Sequence, residues 1–427
     1  GGQAMVSSKD TYYAKNVGGV ASVEFCWGLG FPVIMESTFL QLFLSSLGAS
    51  SLAIGIVPSL FIMGISVAPL FATYLSCRYP RKKHLVTVLH ILPGLAVLLF
   101  GTLLHAVDEP QLVLPLFFAS YLLFSLCLGL AIQVWLDYVT RILSERRIVP
   151  GFGYMMLAQN VGKIVSSFFI LGVVERHAFS LASSAWVFMA TGGVFTLGSL
   201  FFYATREFDE GPVTAAARPP FFKHLRGMFA TVVANRPFLI YLAGDLDNVV
   251  ILTALSFYAN YATGYFAVPA HLAAGAFVAF IYAGSITVNI LLGTMNLLSL
   301  KRKLYLSKGI TLTVLLLLTF FPGYASFFVI SYLLGFGRAI RNMVYPPSVK
   351  IFAGPGDATA YYSLASLLTL PVGVGFPLAF GQALDLLANR GADAYRLLFG
   401  LAMLFVLTTL FFTVKTDFGR AQGMEAR

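Results

Sequence analysis

The chain has 427 residues, of which 58% are hydrophobic and only 11% are charged, and its formal net charge is +10. A soluble domain is about a quarter charged, so this chain has too little polar surface to coat a water-soluble globule of its size. Its apolar stretches are continuous rather than alternating, which argues against a β-barrel, and many approach the ~20 residues that a helix needs to cross a bilayer. The composition therefore predicts an all-α polytopic membrane protein.

Hydropathy predicts twelve membrane spans. In chain order they cover 18–44, 49–76, 85–106, 111–140, 150–174, 182–204, 237–264, 268–297, 304–321, 324–349, 358–388 and 394–414. Of the 28 Lys and Arg residues, 21 lie in the termini and alternate loops, three in the opposite loops and four inside spans. This positive-inside pattern predicts that both termini are cytoplasmic. It explains the basic charge by topology and contact with lipid headgroups rather than by nucleic-acid binding.

Charged residues inside the predicted spans are the most informative feature of the sequence. Lys163 follows about a dozen apolar residues of the fifth span, which at about 1.5 Å per residue places its ammonium near the middle of the bilayer. A charge at that depth costs several kcal/mol unless it faces water, a counter-ion or a substrate. We therefore interpret Lys163 as a functional residue.

The other deep charges occur in the first, fourth, seventh and tenth predicted spans, and spans three, six, nine and twelve are predicted to carry none well inside the membrane. They are Glu24, Glu36, Asp137, Arg141, Asp245, Asp247, Arg338 and Arg341. Asp137 and Arg141 are four residues apart on one helical face, so they either pair with each other or contribute to a gate. Asp245 and Asp247 point about 200° apart on a helix, so we do not expect both to face one ligand.

The longest predicted non-membrane stretch, 206–236, lies between spans six and seven. Its second half has apolar residues at helical spacing, namely Phe221, Phe222, Leu225, Met228, Phe229 and Val232. This pattern predicts an amphipathic helix on the cytoplasmic surface, with a flexible linker as the alternative. We therefore predict an N-terminal six-helix bundle at 1–205, a cytoplasmic linker with an amphipathic helix at 206–236, and a C-terminal six-helix bundle at 237–427.

An internal repeat relates the two halves. A shift of 220 positions along the sequence aligns Leu52, Ala53, Gly55 and Gly64 with Leu272, Ala273, Gly275 and Gly284, and also Arg81-Lys82-Lys83 with Lys301-Arg302-Lys303. A second alignment pairs Leu128-Gly129 with Leu334-Gly335. Two homologous six-helix halves favour a transporter, with its substrate site near the bilayer midplane between the repeats.

The stretch from Thr73 to Lys82, TYLSCRYPRK, resembles the G-x-x-x-D-R-x-G-R-[RK] loop of the major facilitator superfamily. Arg78, Arg81 and Lys82 match this motif, whereas Cys77 replaces its aspartate. Together with the twelve spans, the 6+6 repeat and the long middle loop, the resemblance covers nearly the whole chain. It implies twelve transmembrane helices in two pseudo-symmetric six-helix bundles, and we expect the protein to function as a monomer.

The resemblance also implies that helices one, four, seven and ten line a central cavity. Arg and Lys bind carboxylate or phosphate, and a carboxylate in an apolar cavity can take and release a proton. The expected substrate-binding residues are Lys163, Arg338, Arg341, Gln159, Asn160, Asn248 and Tyr282; the expected proton-coupling residues are Glu24, Glu36, Asp245 and Asp247; the expected gating residues are Arg78, Arg81, Asp137 and Arg141. The alternative is that the acids and bases neutralise one another in fixed pairs, such as a salt bridge between an acid of the seventh helix and Arg338 or Arg341.

The sequence thus predicts a secondary active transporter, working by alternating access, for a small anionic or zwitterionic solute and coupled to protons. Uptake, as a symporter, is favoured over export because 150–174 lacks the Gly-Pro pair of the family's antiporters. An exporter or flippase of amphipathic compounds or lipids, and a non-transporting receptor or scaffold, remain alternatives. No enzyme motif or metal-ligand cluster appears, so we expect no enzyme activity, cofactor or metal. The expected partners are the solute, protons and membrane lipids, and the expected location is a cell membrane, by default the bacterial inner membrane.

Overall fold

The computed structural model describes residues 9–35, 38–76, 79, 81–107, 109–144, 147–208, 220–354 and 358–419. Within these ranges, twelve helical segments are long and apolar enough to cross a membrane. The predicted all-α polytopic class and its twelve spans are therefore confirmed. The predicted residues Glu36 and Arg78 fall outside the described ranges.

The chain divides into two compact units. Unit 1 comprises Gly1–Ala49, Leu60–Thr214 and Ala270–Ala279, and unit 2 comprises Ser50–Ser59, Ala215–Pro269 and Phe280–Arg427. The first half of the chain forms α1 (Tyr13–Ile34), α2 (Phe39–Ser46), α3 (Ser51–Ser76), α4 (Lys83–Ala106), α5 (Pro110–Ile142), α6 (Ile148–His177) and α7 (Leu181–Ser199), which continues as a 3-10 helix at Leu200–Ala204.

The second half begins with a short helix that precedes the seventh span. Its helices are α8 (Phe221–Ala234), α9 (Arg236–Asp245), α10 (Asp247–Tyr265), α11 (Phe277–Val288), α12 (Leu300–Phe320), α13 (Tyr324–Ala353), α14 (Thr359–Leu386) and α15 (Ala392–Lys415). Two π-helical segments, Leu272–Ala276 and Asn289–Thr294, flank α11. The seventh span is thus not one continuous helix, because a turn at Leu246 separates α9 from α10.

An aromatic core holds α1 in unit 1. The Trp27 ring stacks on Phe195 with 4.2 Å between centroids and meets His90 edge-on at 5.3 Å. Its indole N–H donates a hydrogen bond to the Ser199 hydroxyl at 3.2 Å. These contacts bury Trp27 and fix α1 against α4 and α7, so the polar residues of α1 have a defined orientation.

A second aromatic core holds α10 in unit 2. Tyr261 stacks on Tyr395 of α15 with 4.7 Å between centroids, and it meets Phe327 of α13 edge-on at 5.6 Å. Each of these rings brings a large apolar surface into the interior. The packing therefore ties the second half of the seventh span to two later helices.

Each unit contains a close helix crossing built on glycine, and the two crossings involve residues that the repeat aligns. In unit 1, a Cβ placed on Gly129 of α5 would lie 2.4 Å from the carbonyl oxygen of Gly64 on α3. In unit 2, a Cβ on Gly284 of α11 would lie 2.1 Å from the carbonyl oxygen of Tyr332 on α13. Only glycine allows backbones to approach so closely.

Two carboxylates from distant parts of the chain cap helix N-termini. Asp385 accepts hydrogen bonds from the backbone N–H groups of Ser51 and Leu52, at 2.8 and 2.9 Å, at the start of α3. Glu207 accepts them from Lys82 and Lys83, at 2.6 and 3.0 Å, at the start of α4. The first amides of a helix have no partner within the helix, and the helix dipole favours a negative charge beside them.

Candidate functional site

A polar cluster in unit 1 joins α1 to α6. The Gln159 amide donates a hydrogen bond of 2.6 Å to the carboxylate of Glu24, and both side chains belong to membrane spans. Lys163, one turn after Gln159, lies near enough to Glu24 for their charges to interact. Glu24 and Lys163 are both buried. An acid, a base and an amide thus meet inside the apolar part of the unit.

Two glycines bring these side chains together. A Cβ on Gly28 would lie 2.2 Å from the carbonyl oxygen of Gln159, and a Cβ on Gly162 would lie 2.4 Å from the carbonyl oxygen of Phe25. Because neither residue has a side chain, α1 and α6 approach to backbone contact. This close approach is what allows Glu24 to reach Gln159.

Aromatic rings complete the surroundings of the cluster. The Lys163 ammonium lies 5.0 Å from the centroid of the Phe31 ring, within the range of a cation–π contact. The Trp135 indole of α5 approaches the Glu24 carboxylate, but its N–H does not meet the geometry of a hydrogen bond. Asn160, also expected at the site, is buried on α6. The cluster therefore has a buried cation, a buried carboxylate and further polar groups within a largely apolar surrounding.

Unit 2 holds a second acid–base pair at the end of α9. Arg341 of α13 forms a bidentate ion pair with Asp245, in which Nε and Nη2 donate to the two carboxylate oxygens at 3.2 and 2.6 Å. Its guanidinium also lies 4.0 Å from the Tyr345 ring centroid. Asp245 is buried, whereas the Arg341 side chain keeps 26% of its surface exposed. The arginine is thus the accessible partner of this pair.

Asp247, on the other side of the turn at Leu246, has a different partner. Lys308 of α12 donates to its carboxylate at 2.5 Å and to the Gly244 carbonyl oxygen at 2.7 Å. Thr311 donates a further hydrogen bond to Asp247 at 3.2 Å. The two side chains of the ion pair are only 2% and 4% exposed. Asp245 and Asp247 therefore pair with different helices, α13 and α12.

The prediction that the ninth span carries no deep charge is wrong. The ninth span was predicted to begin at residue 304, so that Lys308 lay near its N-terminal end, beside a basic loop. In the structure α12 begins at Leu300. Lys308 therefore lies more than two helical turns inside the span and is buried against α10. The sequence does show Lys308 within the ninth span, after the basic loop. The spacing along the chain does not indicate that Asp247 is its partner.

The other predicted site residues include neighbours of the unit 2 pairs, since Asn248 follows Asp247 and Arg338 lies about one turn before Arg341. Asp137 and Arg141 form an ion pair of 3.1 Å within α5. Arg81 is exposed, Asn248 and Arg338 are half-buried and Tyr282 is buried. Among the described residues, no three His, Cys, Asp or Glu side chains come together as a metal-binding group.

Twelve apolar spans, with acid–base pairs inside them rather than only in loops, are the organisation of a polytopic membrane transporter. A family model described as the Major Facilitator Superfamily matches residues 26–377. The chain belongs to the major facilitator superfamily, and the predicted fold and family are thereby confirmed. Membership of a transporter family also agrees with the expectation that the protein is not an enzyme.

Solved structures with the same fold come from several transporter groups. The chain is similar to the nucleoside transporter NupG with a TM-score of 0.72 and 13% identity, over 94% of this chain and 99% of that one. It is similar to a POT family transporter in complex with 5-aminolevulinic acid with a TM-score of 0.68 and 13% identity, over 94% and 96%. It is also similar to a bacterial homolog of the human lysosomal transporter Spinster, with a TM-score of 0.61 and 12% identity, over 98% of each chain. No curated protein matches the chain in sequence.

Proposed function

We propose that this transporter is a secondary active symporter that moves a small anionic or zwitterionic solute together with protons by alternating access. The observation that carries the proposal is the buried Glu24–Gln159–Lys163 cluster inside membrane spans. Maintaining ionisable groups at that depth is costly, so their presence calls for a functional reason.

Charge balance supplies a coupling mechanism. When both are ionised, Glu24 and Lys163 together carry no net charge. A carboxylate or phosphate of the solute that binds the Lys163 ammonium would leave one excess negative charge beside Glu24. Charges interact far more strongly in an apolar interior than in water, so that excess is unfavourable. A proton on Glu24 removes it, and the solute and the proton therefore bind together.

The pair in unit 2 could take part in the same kind of exchange. Arg341 presents a partly exposed guanidinium, and its planar fork suits a carboxylate or phosphate group. A solute anion that drew Arg341 away would leave Asp245 buried without its counter-charge, which a proton would correct. We assign Asp247 and Lys308 a structural role instead, because their pair is dry and completed by Thr311 and the Gly244 carbonyl.

The direct test is solute uptake by the purified chain in proteoliposomes with an imposed pH gradient. The similar POT structures hold 5-aminolevulinic acid or a peptide conjugate, and NupG is a nucleoside transporter, so these compounds make a first panel. We expect accumulation of charged members of the panel and not of the uncharged nucleoside, and we expect it to fall when the gradient is collapsed.

Lys163→Gln should abolish accumulation, because the amide keeps the size and polarity of the site but removes the cation. Lys301→Gln, at an exposed lysine, is the matched control and should transport normally. Full activity of Lys163→Gln would disprove the assignment of the anion site to unit 1.

An exporter or flippase of amphipathic compounds is the second candidate function. A cavity of about 660 Å³ in unit 1 lies between α1, α6 and α7 and is lined mainly by apolar residues, including Leu29, Val33, Phe169 and Trp186. Such a lining suits an acyl chain or an apolar ring better than a small ion. Fluorescent lipid or dye translocation in the same proteoliposomes, unaffected by Lys163→Gln, would favour this function over the first.

A further inference from the structure

We propose that α8 docks onto an anionic lipid bilayer through an exposed apolar ridge. The α8 ridge consists of Phe222, Phe229 and Val233, which are 81%, 48% and 38% exposed. Lys223 and Arg226 beside it would bind the phosphates of lipid headgroups. The ligand chemistry is thus that of an anionic phospholipid surface rather than of a transported solute.

The helix has two apolar stripes, and within the part of the chain that the structure describes, protein covers only one of them. Leu225, Met228 and Val232 pack into the apolar core of unit 2, where Val232 is fully buried. At 100° per residue, the three ridge residues fall within about 40° of one another, and roughly 90° from this core-facing stripe. The ridge therefore lies to the side of the face that packs on unit 2.

The position of α8 favours a membrane as the occupant of the ridge. Only Asn235 separates the end of α8 from Arg236, the first residue of the seventh span. The Asn235 side chain fixes this junction, since it donates to the Phe352 carbonyl oxygen at 2.9 Å and accepts from the Phe238 backbone N–H at 3.2 Å. A helix held at the end of a span lies at the level of the headgroups, where exposed aromatic rings are favourable.

The charges around the ridge fit an anionic surface. Residues 220–244 contain Lys223, Arg226 and Arg236 and no aspartate or glutamate. Around the helix axis, Arg226 lies roughly 40° and Lys223 about 100° from the centre of the ridge. Their long side chains can therefore reach lipid phosphates while the ridge enters the acyl region. The positive-inside pattern predicts that this end of the protein is cytoplasmic, the side on which anionic lipids are concentrated.

The test measures the depth of nitroxide labels on the full-length chain. The native cysteines are replaced by alanine, and single labels are placed with Phe222→Cys and Phe229→Cys on the ridge, and with His224→Cys and Thr231→Cys on the opposite side of α8. In vesicles of phosphatidylcholine and phosphatidylglycerol, the ridge labels should be more accessible to oxygen than to a water-soluble nickel complex. The two opposite labels should show the reverse.

Removing the charges tests the headgroup chemistry. A basic residue near an anionic surface contributes ~1 kcal/mol to membrane binding, which corresponds to about a fivefold change in the equilibrium. In the double variant Lys223→Gln, Arg226→Gln, the ratio of membrane-inserted to water-exposed label at position 229 should therefore fall about fivefold for each charge removed. Lys415→Gln, at an exposed lysine on α15, should leave the ratio unchanged. The effect should weaken in pure phosphatidylcholine.

Two outcomes would overturn the proposal. One is equal aqueous accessibility of all four labels in the anionic vesicles. The other is spin–spin broadening at positions 222 and 229 that disappears in nanodiscs holding one copy, since a second copy would then cover the ridge. Neither outcome depends on transport, so this result stands apart from the test of the proposed symport.

Discussion

Lys163 and Lys308 are both buried in membrane spans, yet their surroundings differ. Lys308 donates to the Asp247 carboxylate and the Gly244 carbonyl oxygen within a nearly inaccessible pair. Lys163 lies over the Phe31 ring, and the Glu24 carboxylate near it takes a hydrogen bond from Gln159. Lys308 is thus held in a nearly inaccessible ion pair, whereas we propose that Lys163 takes part in an exchange with a solute anion. The type of residue alone does not make this distinction.

Breaking the Asp247–Lys308 pair should destabilise the fold. Lys308→Met alone leaves a carboxylate buried without its counter-charge, and we expect a loss of about 3–5 kcal/mol. Asp247→Leu together with Lys308→Met should recover most of that loss, because well-packed apolar residues replace a dry ion pair at little cost. Thermal unfolding of the two single variants and the double variant in detergent measures this coupling.

Asp393→Asn is the control, since its pair with Arg396 is exposed and should contribute little. Equal losses of unfolding free energy in the single and double variants at Asp247 and Lys308 would contradict a stabilising role of this ion pair.

At the scale of helices, close crossings and capped ends position the site. The α1–α6 contact rests on Gly28 and Gly162, where any side chain would meet the opposite backbone. The start of α4 is held by Glu207, which follows the sixth span. The basic loop before α4, predicted to supply gating residues, is thus also tied to the segment that leads into the linker.

Gly162→Ala should separate α1 from α6 and weaken the Glu24–Gln159 hydrogen bond. We expect a destabilisation of about 1–3 kcal/mol from overpacking, seen as a lower unfolding temperature. Gly172→Ala on the same helix is a matched control, since a Cβ there meets nothing within 4 Å. This control should be neutral or stabilising by up to about 1 kcal/mol, because alanine favours helix. Equal behaviour of the two variants would show that the crossing is not tightly packed.

Glu207→Ala should loosen the first turn of α4 at a cost of about 0.5–2 kcal/mol, because two backbone N–H groups lose their acceptor. Hydrogen exchange at Lys82 and Lys83 should become faster. Glu109→Ala provides the comparison, since Glu109 precedes α5 without a side-chain capping bond. Unchanged exchange at Lys82 and Lys83 would contradict the capping role.

At the scale of the whole molecule, the sequence predicted what depends on local composition. The twelve spans were found because each is a long apolar run, and the fold and family followed from their number and from the loop motif. The partners of Glu24 and Asp247 were not predictable, whereas a pair between Arg341 and an acid of the seventh span, here Asp245, was among the alternatives. Asp247 and Lys308 are 61 positions apart, and Glu24 and Gln159 are 135 apart, so each pairing depends on which helices pack together. The interruption of the seventh span at Leu246 was likewise missed, because Leu246 favours a helix as much as its neighbours do.

The most direct test of the account compares two transport modes of Glu24→Gln. The glutamine imitates a permanently protonated Glu24, so the variant should exchange labelled for unlabelled solute across the membrane without a pH gradient. It should fail to accumulate solute when a gradient is imposed, because no proton can be taken up or released at this position. Gradient-driven accumulation at the wild-type level by Glu24→Gln would contradict proton coupling through the Glu24–Lys163 cluster.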